Sequence, residues 1–261
     1  SADAALAFEP ASALASPISA MPAAAVMAAP SAPSAPALNV ALVKRDAAKG
    51  DLVAAFALGK QYAEGIGVRP DLALAAEWYQ RAAKGGLAIA QYRIGSLYER
   101  GEGVKRDPAA AESWYRKASA AGNARATHNL AVMVSEGANG DADYVAAAHL
   151  FIEAADMGVA DSQYNLGVLY ARGLGMKVDL IQSYKWFALA AQQGDADAGN
   201  RRDEVAKVLS PAELASARAA VQAFAPKPLD PAVNQEPAPK AEWMVTASSS
   251  PLAGASLDAK G

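Results

Sequence analysis

The chain repeats itself every 36 residues, four times over, without an insertion or a deletion. Gly59, Gly95, Ala131 and Gly167 stand in register, as do Tyr62, Tyr98, Val134 and Tyr170. Gly65, Gly101, Gly137 and Gly173 follow the same interval, and so do Asp71, Asp107, Asp143 and Asp179, then Gly86, Gly122, Gly158 and Gly194. A fixed period of this length marks a solenoid, because each unit is too small to bury its apolar face alone and must stack on its neighbours. Such a chain presents a long surface rather than a compact catalytic cleft.

The second unit shows how each copy is built. Ile94, Leu97 and Tyr98 lie three and four apart, which places them on one face of a helix. Gly101 then supplies the left-handed conformation that closes a helix, and Gly103 adds a second permissive point in the turn. Asp107 is an N-cap and Pro108 a first-turn proline for a second helix, whose face carries Ala111, Trp114, Tyr115 and Ala118 before Gly122 ends it. The Trp78, Trp114 and Trp186 rings are expected in the core between repeats. The third unit is the most degenerate. It has Ala131 and Val134 in place of Gly and Tyr, Leu150 and Phe151 in place of the Trp-aromatic pair, and Asn139 where the other turns have glycine. Looser packing is expected there.

These recurring glycines, tyrosines, aspartates and Trp-Tyr pairs resemble the Sel-one-like repeat family, relatives of the tetratricopeptide repeats, over about residues 52 to 194. The resemblance implies an all-α, right-handed superhelical solenoid of helix-turn-helix repeats that binds partner proteins and has no chemistry of its own. A second likeness lies in WFALAAQQGDADAGNRRDEVAKVLSPAELASARAAVQAF and the following PKPLDPAVN, which is similar to the end of the repeat region in PodJ-type polar localisation factors. It implies the periplasmic part of a membrane-anchored organiser of a cell pole. A peptidoglycan-associated module and a periplasmic regulator of a signalling receptor are the alternatives.

Four segments follow along the chain. Residues 1–38, rich in Ala, Pro and Ser, are expected to be a disordered linker, since closely spaced prolines stop helices from propagating. The solenoid is expected over 39–225, with an N-terminal half-repeat at 39–50 capped by Asn39. Four repeats fill about 51–194, and capping helices fill 195–225. Ser210, Pro211 and Glu213 form a capping box that leads a final helix through Leu214, Ala217, Val221 and Phe224, the lid on the last repeat. Residues 226–261 are expected to be a disordered Pro/Ser-rich tail, with polyproline character near its start. A chain that starts at Ser1 reads as a processed or excised piece, and any membrane span is expected upstream of it.

Composition narrows the function classes. The net charge is −3, which offers no basic stripe for nucleic acid, and neither flank reads as a membrane span. With no cysteine there is no disulfide framework, a fact that leaves both the periplasm and the cytoplasm open. The only histidines are His128 and His149, with no metal-ligand or triad spacing, so no enzyme activity, cofactor or metal is expected. His149 is expected to be a partly buried packing residue.

The candidate partner site is a column on the first helix of each unit. Phe56, Tyr92, His128 and Tyr164 occupy one repeat position, with Asn129 and Asn165 beside them in the last two units and Lys60 and Ser96 four further along in the first two. By analogy with tetratricopeptide grooves, these residues are expected to line a concave wall that takes a protein or peptide. The competing reading makes the rings and the asparagines consensus packing.

Overall fold

The computed structural model describes residues 38–245. Among them are twelve α-helices and no strand, only an isolated antiparallel bridge between Leu38 and Met244. The N-terminal linker residues 1–37 and the tail residues 246–261 lie outside the described part.

Helix α1 (Val40–Ala48) opens the array. The four repeats follow as α2 (Leu52–Glu64) with α3 (Leu72–Lys84), α4 (Ala88–Arg100) with α5 (Pro108–Ala120), α6 (Ala124–Glu136) with α7 (Tyr144–Asp156), and α8 (Ala160–Arg172) with α9 (Leu180–Gln192). Helices α10 (Ala196–Val208) and α11 (Pro211–Gln222) come next, and the short α12 (Pro231–Asn234) lies in the tail. Every helix from α2 to α10 has 13 residues, so the period of the sequence becomes a period of structure. From α1 to α10 each helix packs on the next in sequence, and α11 folds back onto α9.

The recurring residues explain the repetition. Asp71, Asp107, Asp143 and Asp179 each accept a backbone N–H at the start of a second helix, satisfying donors that a helix leaves orphaned. Gly59, Gly95 and Gly167 lie against Tyr79, Tyr115 and Phe187, where a Cβ would come within 2.6, 2.9 and 2.8 Å of the ring. These glycines are therefore set by how closely the two helices of a repeat approach, and the aromatic partner is fully or almost fully buried in each case.

Two expectations about this layer are corrected. The Tyr or Phe of each Trp-aromatic pair is the core residue, while Trp78 and Trp114 are half-buried under Arg81 and Lys117, whose cations sit 4.9 and 4.3 Å from the ring centroids. Only Trp186 is enclosed, because Phe224 packs edge-on against it at 5.5 Å. The third repeat is no looser than the others, since Ala131 and Phe151 are fully buried in one cluster with Val132, Ala147, Ala148 and Leu169. Its turn is also tied differently. Gly103 and Gly175 press on the carbonyls of Leu72 and Tyr144, so closely that a Cβ would lie 2.1 Å away. At the equivalent place Asn139 reaches the Pro108 carbonyl with its side chain, donating at 3.1 Å, and donates to Glu112 at 2.6 Å. His149 is exposed, not packed.

The largest departure from expectation is the tail. Residues 226–245 do not leave the solenoid but run back along it as a strap. Lys227 pairs with Asp156 at the end of α7, Asn234 meets the turn between α5 and α6, and Trp243 ends in the core beside α1. Sequence composition alone marked this segment as disordered because it is rich in proline. Proline also favours an extended chain that has little entropy left to lose on docking.

Candidate functional site

The column Phe56, Tyr92, His128 and Tyr164 forms, but it faces inward. Each ring packs against the aromatic residue of its own second helix, with Phe56 on Tyr79, Tyr92 on Tyr115, His128 on Phe151 and Tyr164 on Phe187, at centroid separations of 5.4, 6.1, 5.9 and 5.5 Å. All four are buried. His128 shares a hydrogen bond with Ser162 Oγ at 2.7 Å, and burial pushes its imidazole down to about 3, which keeps it neutral. Tyr164 donates to Asp197 on α10 at 2.6 Å.

The polar members behave in the same way. Asn129 is buried and donates to Tyr115 Oη at 3.0 Å, and that hydroxyl donates to Glu99 at 2.6 Å, a chain joining the second repeat to the third. Asn165 is fully buried, and Ser96 is buried and accepts from Arg100 at 2.5 Å. These residues hold repeats together and present no open wall. The physical reason is the close packing of each first helix on the second helix of its own repeat and on the one before it, which encloses this face and leaves little room for a ligand.

Lys60 alone of the candidates keeps a partly exposed side chain, and it is engaged by the strap. Its ammonium pairs with Glu236, whose other oxygen accepts from Arg93 at 2.6 Å. Arg93 stands in the second repeat at the position of Asn129 and Asn165, and Lys60 stands in the first at the position of Ser96, Val132 and Val168, so the strap meets two neighbouring rows at the one repeat in each that carries a cation. Burial works to raise the Glu236 pKa, but the two cations outweigh it and hold the carboxyl below its usual value.

The rest of the strap is pinned at both sides of this ion pair. On one side Asn123 donates to the Val233 carbonyl at 2.7 Å, while Asn234 accepts from the Ala124 amide at 2.9 Å and donates to the Gly122 carbonyl at 3.1 Å. On the other side Lys240 pairs with Asp51 at 2.5 Å. Trp243 is fully buried; its indole N–H donates to Asp46 at 2.8 Å, and its carbonyl accepts from the Asn39 amide at 2.7 Å. The Arg45 guanidinium first, and the Trp243 indole second, hold the Asp46 carboxyl down at about 2.

A cavity of about 210 Å³ lies between strap and solenoid, walled by Phe56, Ala57, Gln61 and Ile66 on one side and by Pro237 and Pro239 on the other. Gln61 is 2% exposed, and neither of its amide atoms has a hydrogen-bond partner. Composition had pointed away from the tail, so Glu236, Arg93, Gln61 and Trp243 were all missed. The available signal was a lone tryptophan followed by Met-Val inside an otherwise polar, proline-rich stretch.

The Sel1 repeat model matches residues 52–87, 88–123, 124–159 and 160–195, together more than half of the chain. The chain belongs to the Sel1 repeat family. Among solved structures it is similar to a Sel1 repeat protein from Oxalobacter formigenes, at 26% identity and a TM-score of 0.61 over 70% of this chain and 77% of that one. It also matches c5321, a protective antigen of uropathogenic Escherichia coli strains with an SLR fold, at 26% identity and a TM-score of 0.49. That match covers 71% of this chain and only 48% of the antigen. No curated protein matches. Sel1 repeat proteins are non-catalytic scaffolds that mediate protein–protein interaction. Among the described residues no group of three His, Cys, Asp or Glu is placed to hold a metal, and no helix is long and apolar enough to cross a membrane.

Proposed function

We propose that this Sel1 repeat protein is a non-catalytic docking scaffold that holds an extended segment of a partner protein along its first helices. The observation that carries this reading is that the chain already holds one such segment there, its own extended stretch 235–240 between two short helical turns, by contacts spread from the third repeat back to the first helix. An extended ligand laid across repeats takes one or two contacts from each, which suits a solenoid because its groove residues vary over a constant frame. The likeness of the last repeat and the capping helices to polar localisation factors supports placing this scaffold in the periplasm, as the docking end of a polar organiser. Crosslinking of the full chain in periplasmic extract, beside sedimentation with purified sacculi, tests it. Saturable crosslinks to defined proteins support the scaffold, and co-sedimentation with sacculi in their absence moves the assignment to a peptidoglycan-binding module.

A further inference from the structure

Deepening the scaffold reading and resting on it, we infer that the stretch between Asn234 and Lys240 is an exchangeable, built-in occupant. On this reading the cationic site beneath it takes a proline-flanked acidic segment of a partner protein, with an apolar side chain larger than the strap's own.

Three observations converge. The recognition element is a carboxylate placed between cations of two successive repeats, Lys60 and Arg93, and a segment without that carboxylate would leave Lys60 only the looser pair with Glu64 at 3.9 Å and take from Arg93 its ion pair. The backbone around Glu236 is extended, with Gln235 at φ −113° and ψ 153° and Lys240 at φ −64° and ψ 143°, and prolines follow at 237 and 239. Among the described residues, no backbone-to-backbone hydrogen bond joins the strap to the solenoid between Lys227 and Trp243, so this stretch is held by side chains alone. It can lift while both ends stay tied.

The third observation is the poor fit. The space opens partly to solvent, so its apolar walls stay hydrated, and a buried amide with no partner costs free energy. The roughly 210 Å³ space beneath Pro237 and Pro239, with the unpartnered Gln61 amide in its wall, shows that the strap satisfies the charges but not the volume. A partner that keeps the acid and the prolines' extended path, but carries a leucine-sized group where Pro239 stands, fills the space the strap leaves. Trp243 remains seated throughout as the anchor.

The test uses the full chain and two labelled ten-residue peptides, AVNQEPAPKA, which copies residues 232–241, and its Leu version AVNQEPALKA. Binding is read by fluorescence anisotropy. A Glu236→Lys chain, whose strap is repelled from Lys60 and Arg93, should bind both peptides at least tenfold more tightly than the wild type, because the competing occupant has gone. The Leu version should bind more tightly than its parent. Binding should disappear in a Lys60→Glu, Arg93→Glu chain and return there when the peptide carries Lys in place of its Glu, a rescue that a misfolded variant cannot give. Equal affinity of the wild-type and Glu236→Lys chains, or binding that survives the loss of both cations, overturns exchange. Equal affinity of the two peptides overturns the partner chosen for the cavity. Concentration-dependent dimers of the wild-type chain that the Glu236→Lys change abolishes would instead make a second copy the occupant and overturn the assignment. Each of these failures leaves intact any saturable crosslinks of the full chain to other proteins, so a failed exchange and a failed scaffold are told apart.

Discussion

The two ends of the solenoid solve the same problem in opposite ways. At the C-terminal end the apolar face of the last repeat is covered by the helices that come next in sequence. Helix α11 begins with a capping box between Ser210 and Glu213, buries Ala217, and is followed by Phe224 on Trp186. At the N-terminal end, α1 has nine residues and buries little beyond Val43 and Ala47, so the cover is completed by Trp243. The indole lies on Asp46, and Leu38 bridges to Met244. The comparison teaches that a repeat array needs its ends sealed, and that the seal need not come from the neighbouring sequence.

An interior ring sets the scale for breaking that comparison. Tyr115→Ala should cost about 4 kcal/mol, since it empties a fully buried site and strands Asn129 and Glu99. Urea unfolding of the full chain measures it, and Trp114→Ala in the same assay should cost markedly less because that ring is half-buried. Trp243→Ala should come next at about 3 kcal/mol, a large loss for a residue so far along the chain. If it proved neutral, the N-terminal end would be sealed by α1 alone and the contrast between the ends would vanish.

The interior also differs from the ends in its response to acid. The folded protein holds His128 at about 3 against an ordinary 6.5, so as pH falls below 6.5 the unfolded chain takes up a proton that the folded one refuses. Stability is therefore lost on acidification through that window, by about 2 kcal/mol between pH 7 and pH 5. His128→Phe, the residue type found at Phe56, should remove this slope in paired urea titrations. Phe224→Ala should cost about 1 to 2 kcal/mol, less than Trp243→Ala because Phe224 is only half-buried. The smallest effect concerns Glu236, whose lowered pKa means that its contribution is complete above 4.5 and fades as pH falls through the folded value. The side chain is partly exposed, so less than about 1 kcal/mol is at stake. The amide signals of Gln235 and Ala238 should shift as pH falls through the folded value of Glu236, while those of Leu189 and Ala190 inside α9 stay put.

What could be read from the chain follows the same division. The repeat, the aspartate caps and the α11 capping box depend on residues within a few positions of one another, and these were legible. The ring column was legible as a column but not in its direction. Phe56, Tyr92, His128 and Tyr164 have the composition of a binding wall, and only the distances to Tyr79, Tyr115, Phe151 and Phe187 show them paired inside each repeat. Arg93 was hidden because the row it shares reads Asn in two later copies. The strap was illegible for a physical reason: proline-rich composition describes a chain that cannot make its own core, and says nothing about a core made for it by others.

The contact between Trp243 and Asp46 spans 197 positions. A ribosome adding about 5 to 20 residues each second therefore leaves the first end of the array uncovered for roughly 10 to 40 s after that end has been made. Within the array, the end made first is the end finished last. A chain cut short anywhere between residues 195 and 243 keeps all four repeats and still carries an open edge, which gives quality-control proteases a simple mark by which to recognise it.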